Sequence, residues 1–248
     1  MLVLPTVRSL ANSSGLLPLS RSFAHSMSFD RDHVSCTYDR WPEWLSLSRE
    51  DDMANFVAGM PLDSETPPSI GENFSYSSGT SVLLSRAWQA AFDDAAEAVR
   101  FPSVALFEPL GMTSAVLQMD AAGTYAGSSY MYSNARDWAR FGQFILDGAR
   151  LDGASVLPDD WLSEATRTQI RTDRNQTFDY GYQWWTRDDG SFAAFGAFGQ
   201  SIFIDPNRDL VIATNASWRD ARGKIADQRA DRDLFFEAIQ ASIDAEDG

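Results

Sequence analysis

The chain has 248 residues, enough for one or two domains at roughly 150 residues each, and its 44% hydrophobic and 12% aromatic content, with 8 Trp and 16 Phe, excludes the sparse composition of a disordered chain. Its 20 basic and 35 acidic residues give a net charge of −15, a sign that repels phosphate backbones and anionic membrane surfaces. Nucleic acid is therefore not an expected partner.

Residues 17 to 72 read as an irregular region, because Ser, Arg, Asp and Pro interrupt every apolar run before a period is established. A long loop region of this kind in a compact domain is usually functional or mobile. From Ser81 the residues Val82, Leu83, Leu84, Ala87, Trp88 and Ala91 recur at helical spacing, which predicts a helix to about Val99 with Thr80 or Ser81 as its N-cap. A second helix is predicted from Ser133, carrying Trp138, Phe141 and Ile145 on one face and ending at Gly148. Pro158, followed by Asp159, Asp160, Trp161 and Leu162, predicts a short helix with Pro in its first turn.

The texture then changes to strands. Tyr182 to Thr186, Phe192 to Phe195, Ser201 to Ile204 and Leu210 to Thr214 are aromatic or β-branched runs between turn residues. Three or four antiparallel strands are expected, with the last two joined as a hairpin through Asp205, Pro206, Asn207 and Arg208. The stretch from Lys224 to Ala245 places Phe235, Phe236, Ile239 and Ile243 on one stripe, predicting a surface helix packed on that sheet. The fold class is thus a mixed α/β (α+β) one, an antiparallel sheet flanked by helices.

Several chemistries are excluded by inspection. No run approaches about 18 apolar residues, so no membrane span is expected. Met1 to Leu4 is too short for a signal-peptide core, whereas residues 1 to 28 hold Arg8, Arg21 and many Ser with no acid before Asp30, which also suits a mitochondrial presequence, and the compartment stays open. Cys36 is the only cysteine, so neither an internal disulfide nor a thiolate zinc cluster can form. There is no Gly-x-Ser-x-Gly elbow, no phosphate-cradling glycine loop ending in Lys and no His-Glu-x-x-His pair. His25 and His33 read as solvated loop residues rather than metal ligands, and no metal or other cofactor is expected.

What remains is Phe74, Ser75, Tyr76, Ser77, Ser78, Gly79, Thr80 and Ser81, leading into a helix. A Tyr at that place sits in the positive potential of a helix N-terminus, which favours a phenolate or a phenol that shuttles a proton. The plain alternative is an ordinary Tyr before a Ser-capped helix.

The run Tyr76 to Ser81, followed by Leu83 and Leu84, resembles the Tyr-x-Asn/Ser element of serine hydrolases with the class C β-lactamase fold, a group that includes esterases and 6-aminohexanoate-dimer hydrolases. The likeness continues through Leu106 to Ser114, through Gly127 to Gly142 with Ser128, Ser129, Tyr130, Ala135, Arg136, Asp137 and Trp138, and through Gly181 to Trp185 and Phe198 to Ile212. Thr6, Val7, Arg8, Leu10, Ser13, Ser14, Gly15 and Leu16 are similar to a family segment ending in Ser-Gly-Leu, one residue short. The resemblance covers nearly the whole chain as a single β-lactamase-related domain over residues 1–248, patchily from 17 to 55. It implies a β-lactamase/transpeptidase-like fold incomplete at its N-terminus.

The resemblance also implies a chemistry. A Ser-x-x-Lys pair on one helix face supplies the nucleophile and its base, a Tyr relays a proton to the leaving group, and backbone N–H groups hold the oxyanion. By carry-over Tyr76 is the relay, Ser78 holds the polar third position of its element, and the third family element falls on Ala197, Phe198 and Gly199, with Gln200 after it and Trp184 lining the same cleft. Two departures stand out. Ala197 has no ionisable group where many relatives carry Lys or His. Lys224 is the only lysine and Ala221 stands three before it, so no Ser-x-x-Lys exists in this sequence.

The expectation is therefore a chain that begins after the family nucleophile: the C-terminal part of a serine hydrolase acting on a small ester or amide, with little acyl transfer of its own. Loss of the first part of a shared sheet predicts an exposed strand edge and apolar helix faces, and with them marginal stability or self-association. Two alternatives stay open. One is a non-catalytic protein that binds a small acyl or peptide-like ligand between Tyr76, Trp184 and Phe198. The other is a substitute nucleophile, Ser13 or Ser14, although no Lys or His is spaced to activate either.

Overall fold

A computed structural model describes residues 49–60, 76, 78–175, 177–223 and 227–246. These fall into two compact units, one formed by the described residues up to Glu108 with Ala115–Tyr132 and the other by Pro109–Ser114 with the described residues from Ser133 onward. The segment from Thr6 to Leu16, His25, His33, Cys36 and Lys224 lie outside the described residues.

In the first unit, α1 (Met53–Ala58) interrupts the stretch expected to be irregular. Asp52 caps it by accepting from the Asn55 N–H at 3.0 Å, and Asp120 accepts from the Met53 N–H at 2.9 Å. Helix α2 (Ser78–Gln89) starts three residues earlier than the apolar period predicts. It also ends earlier: the single helix expected to Val99 is two, with α3 (Ala95–Pro102) beginning afresh. The cause is Asp94, in extended backbone, whose carboxylate accepts from the Ala96 N–H at 2.8 Å and so opens a new helix inside the periodic run.

Met53, Ala54 and Val57 of α1 pack on Val82 of α2 and on Ala126. A second cluster joins Trp88, Phe92 and Phe101 edge to face at 5.2 to 5.5 Å. Arg86 ties the layers together, donating to Asp52 at 2.8 Å and to Thr124 at 2.7 Å. A two-residue ladder between β1 (Val116–Leu117) and β2 (Met131–Tyr132) completes this unit.

The second unit is a six-stranded antiparallel meander with a helix on each face. After α4 (Ala135–Leu146) come a small hairpin, β3 (Arg150–Leu151) with β4 (Ala154–Ser155), and α5 (Trp161–Thr166). The strands β5 (Ile170–Asn175), β6 (Phe178–Tyr180), β7 (Trp185–Thr186), β8 (Phe192–Phe195), β9 (Gln200–Asp205) and β10 (Leu210–Asn215) then pair in chain order, and α6 (Gln228–Glu246) follows. The hairpin expected at Asp205 to Arg208 is present, its turn fixed by Asp205 accepting from the Asn207 N–H at 3.0 Å.

Three expectations need correction here. The strand from Tyr182 shortens to Trp185–Thr186 because Gln183 takes a left-handed φ of 68°. The helix expected at Pro158 begins only at Trp161, since Asp160 is left-handed at φ 63° and cannot belong to it. On α6 the buried residues are Asp233, Phe236 and Gln240, while Phe235 is 48% exposed. The stripe is rotated because Asp233 accepts from Thr177 at 2.7 Å and Gln240 donates to the buried Asp205 at 2.6 Å.

Strand β9 shows how the two helices share the sheet. Ile202 and Ile204 lie on the face covered by α4, where a Cβ on Gly142 would stand 2.5 Å from Val211 Cγ1 and 3.0 Å from Ile202 Cγ2. The helix approaches that closely only because position 142 has no side chain. Phe203 lies on the opposite face and stacks on Phe236 of α6, centroids 4.5 Å apart and planes 20° apart.

Candidate active site

Tyr76 precedes the first residue of α2 by two positions and is 41% exposed. Ser78 opens the helix and is half-buried, while Gly79, Ser81 and Val82 behind it are buried. The start of α2 is held from behind by the segment around Gly127, where a Cβ would fall 2.2 Å from Ser85 Oγ and 2.8 Å from the Ser81 carbonyl. That close approach explains a glycine at 127 in physical terms, and Ser85 donating to the Ser81 carbonyl at 3.1 Å fills the remaining space. No acidic residue stands in the first turn of α2, so the positive end of the helix dipole there is uncompensated by a side chain of that turn.

In the second unit Ala197, Phe198 and Gly199 form a single 3₁₀ turn between β8 and β9, closed by the Gly196 N–H donating to the Gln200 carbonyl at 2.8 Å. Phe198 is left-handed at φ 59°, ψ 25°, and Gly199 follows at φ 87°. The segment 216–223 straps this turn from outside. The Phe198 N–H donates to the Ala221 carbonyl at 3.2 Å and the Trp218 N–H donates to the Phe198 carbonyl at 3.1 Å. The indole of Trp218 is wedged between two glycines, since a Cβ on either Gly199 or Gly223 would lie 2.5 Å from it.

The four residues Ala197 to Gln200 thus form one contiguous surface, yet they are not equivalent. The Gln200 side chain donates to the Ala216 carbonyl at 2.8 Å and is spent on holding the strap. Gly199 is buried under Trp218, whereas Phe198 is 47% exposed. Trp184 lies elsewhere: it stacks on Phe141 of α4 at 6.4 Å and 8° and meets Phe192 edge to face at 5.1 Å, inside the packing between α4 and the sheet.

A polar network missed in the sequence anchors the same unit. Asp137, 1% exposed in the first turn of α4, accepts from the Ser114 hydroxyl at 2.6 Å and the Ser114 N–H at 2.8 Å and pairs with Arg140. The Ser114 hydroxyl hydrogen bond, ahead of the opposing effect of burial, holds the Asp137 carboxyl below its ordinary range. Ser114 also meets Ser133 Oγ at 3.1 Å, and Asn215 at the end of β10 donates to the Ser133 carbonyl at 2.9 Å. The available signal was Asn134 followed three residues later by Asp137, since Asn134 caps α4 through the Asp137 N–H at 2.9 Å. Nothing in the sequence marked Trp218.

Among the described residues no group of three or more His, Cys, Asp or Glu is placed to hold a metal ion, and no helix is long and apolar enough to cross a membrane.

Residues 5–234 match the Beta-lactamase family. The chain belongs to that family. It is 28% identical over 213 residues to a 6-aminohexanoate-dimer hydrolase from Paenarthrobacter ureafaciens, a match covering 79% of this chain and 53% of the relative. Among solved structures it resembles a putative 6-aminohexanoate-dimer hydrolase from Bacillus anthracis, with a TM-score of 0.54, 21% identity and coverage of 77% of this chain and 53% of that one. It also resembles a penicillin-binding protein homolog from Caulobacter crescentus, with a TM-score of 0.59, 15% identity and coverage of 84% and 68%. These likenesses support the mixed helix and antiparallel-sheet fold of the Beta-lactamase family. The chain spans about half the length of the curated relative it matches.

Proposed function

We propose that this member of the Beta-lactamase family carries the second and third elements of a serine-hydrolase site for a small ester or amide. In that reading a serine Oγ adds to the substrate carbonyl carbon while its proton passes to a lysine amine, backbone N–H groups hold the oxyanion, and the bond to the leaving alcohol or amine breaks as the Tyr76 phenol protonates it. Ser78 in that reading supplies the second polar group of the Tyr76 element, and Ala197 to Gln200 supply the third element, which receives part of the substrate. Trp184, packed on Phe141 and Phe192, is left to the core between α4 and the sheet in this reading.

The observation that carries the rest of the proposal is the lysine count. Lys224 is the only lysine, Ala221 stands three residues before it, and so these 248 residues contain no Ser-x-x-Lys. We infer that by themselves they have no acyl-transfer activity. The purified chain, treated with a serine-reactive fluorophosphonate probe, is expected to stay unlabelled under native conditions. Stoichiometric labelling would overturn the inference, and mapping the labelled peptide would show whether Ser13, Ser14 or another serine is responsible. The same absence favours one other reading, a ligand-binding protein of this fold. A ligand at 100 times its dissociation constant would then add about 2.7 kcal/mol of stability, a shift that thermal unfolding resolves.

A further inference from the structure

We propose that Phe198 is a specificity-determining contact and that the group it receives is apolar and uncharged; this rests on the hydrolase-type reading of the site. Three observations converge on it. The first is conformational. Phe198 is a bulky residue held at φ 59°, ψ 25°, a region that glycine and asparagine occupy at little cost and aromatic residues avoid. Strain of that kind persists only where the surroundings over-determine it, and it concentrates at sites that bind ligands.

The second is that the surroundings do over-determine it. The strap of residues 216–223 takes both backbone hydrogen bonds of Phe198, through the Ala221 carbonyl and the Trp218 N–H. Trp218 fills the space over Gly199, and Gln200 anchors the strap by donating to the Ala216 carbonyl. Residues on both sides of Phe198 are thereby fixed, and Trp218 acts as its positioning residue.

The third is where the ring goes. With so much structure committed to it, a packing role would bury the side chain, yet Phe198 is 47% exposed. About half of the residue is therefore open to solvent, and the residues beside it, Ala197, Gly199 and Gln200, carry no charge. Such a surface gains by covering its ring with an apolar or flat group. Arg219 and Arg222 on the strap are exposed cations that a carboxylate would pair with, so a charged probe sets their pull against that of the ring.

The test pairs two probes that differ only at one end, N-hexylacetamide and its ω-carboxylate counterpart, titrated against the 248-residue chain and against Phe198→Gly and Phe198→Asn. Both replacements are at ease at positive φ, so both are expected to unfold at the temperature of the parent or above it. The neutral probe is expected to bind the parent more tightly than the carboxylate does, and to lose about fivefold in affinity in both variants, the size of one aromatic contact. A fall in unfolding temperature of both variants would make the ring structural and overturn the inference. Equal affinities in parent and variants, or a carboxylate that binds more tightly than the neutral probe, would overturn it while leaving the site reading intact. Failure of the parent to bind either probe would count against both.

Discussion

The two helices that cover the six-stranded sheet bury their inner faces by different physics. Helix α4 lies on an apolar face: Phe141, Phe144 and Ile145 are buried, and Gly142 lets the helix come within contact of Val211 and Ile202. Helix α6 buries Asp233, Phe236 and Gln240, two polar residues for one apolar. Its polar atoms are matched one by one, Asp233 to Thr177 and Arg232, Gln240 to Asp205. Arg232 itself lies 3.7 Å from the centroid of Phe195, so even its cation is covered by an aromatic face. The α4 face is specified by volume, and the α6 face by pairing.

On that contrast, the one buried hydrophobe of α6 bears a disproportionate share of its attachment. Phe236 is fully buried and stacks on Phe203. Phe236→Ala is expected to destabilise the second unit by about 3–5 kcal/mol, read as the shift in urea midpoint at constant slope. A loss below about 0.5 kcal/mol, the size of an ordinary surface change, would mean that the polar pairs hold α6 without it.

The same contrast explains what was legible in the sequence. On the apolar side the patterns were sufficient: Phe192–Phe195 is a strand with the bounds expected, the β9–β10 hairpin turns where Asp205 and Pro206 indicate, and α4 runs close to its predicted length up to a left-handed Gly148. Period alone failed where polar groups decide. The break between α2 and α3 is made by the Asp94 cap, and β5, read from Ile170, Arg171 and Thr172, has no strand-like pattern and is defined by its pairing with β6. Asp233 and Gln240 looked like the solvent face of a helix, and only their partners in the folded chain bury them. At the candidate site, Tyr76 was singled out by its place before a helix N-terminus and, with Ser78, by family resemblance, and the roles of both remain proposals. The Trp218 strap was illegible because a close approach between a Trp and two glycines leaves no sequence period.

Asp137 is the polar exception on the α4 side, and it makes that side sensitive to acid. Its carboxyl is held below the ordinary range by the Ser114 hydroxyl, so the folded state favours the charged form more than the unfolded state does. Its contribution is then present in full above the unfolded value of about 3.9 and is lost as pH falls through the lower folded value. Asp137→Asn is expected to cost about 1.5–3 kcal/mol at neutral pH, the range for hydrogen bonds to a charged group. The deficit relative to the parent should shrink as the pH is lowered below about 4. A deficit independent of pH would show that the network acts through shape and not through charge.

At the rim of α6, Arg208 joins the hairpin turn to the helix by donating to Asp244 at 2.7 and 2.8 Å and to Asp205 at 2.7 Å. Those hydrogen bonds raise the Arg208 pKa, Asp244 foremost, and lower that of Asp244. Geometry this regular invites a large assignment, but Asp244 is 55% exposed, so water and salt screen the pair. Asp205, buried and also held by Gln240, keeps Arg208 in place without Asp244. Asp244→Asn is therefore expected to lower the urea midpoint only slightly at low salt, and less in 1 M salt, where the Debye length falls to about 3 Å. A larger loss that salt does not diminish would place Asp244 inside the paired system of α6, and the boundary between its buried wiring and its solvated rim would have to be drawn one turn further out.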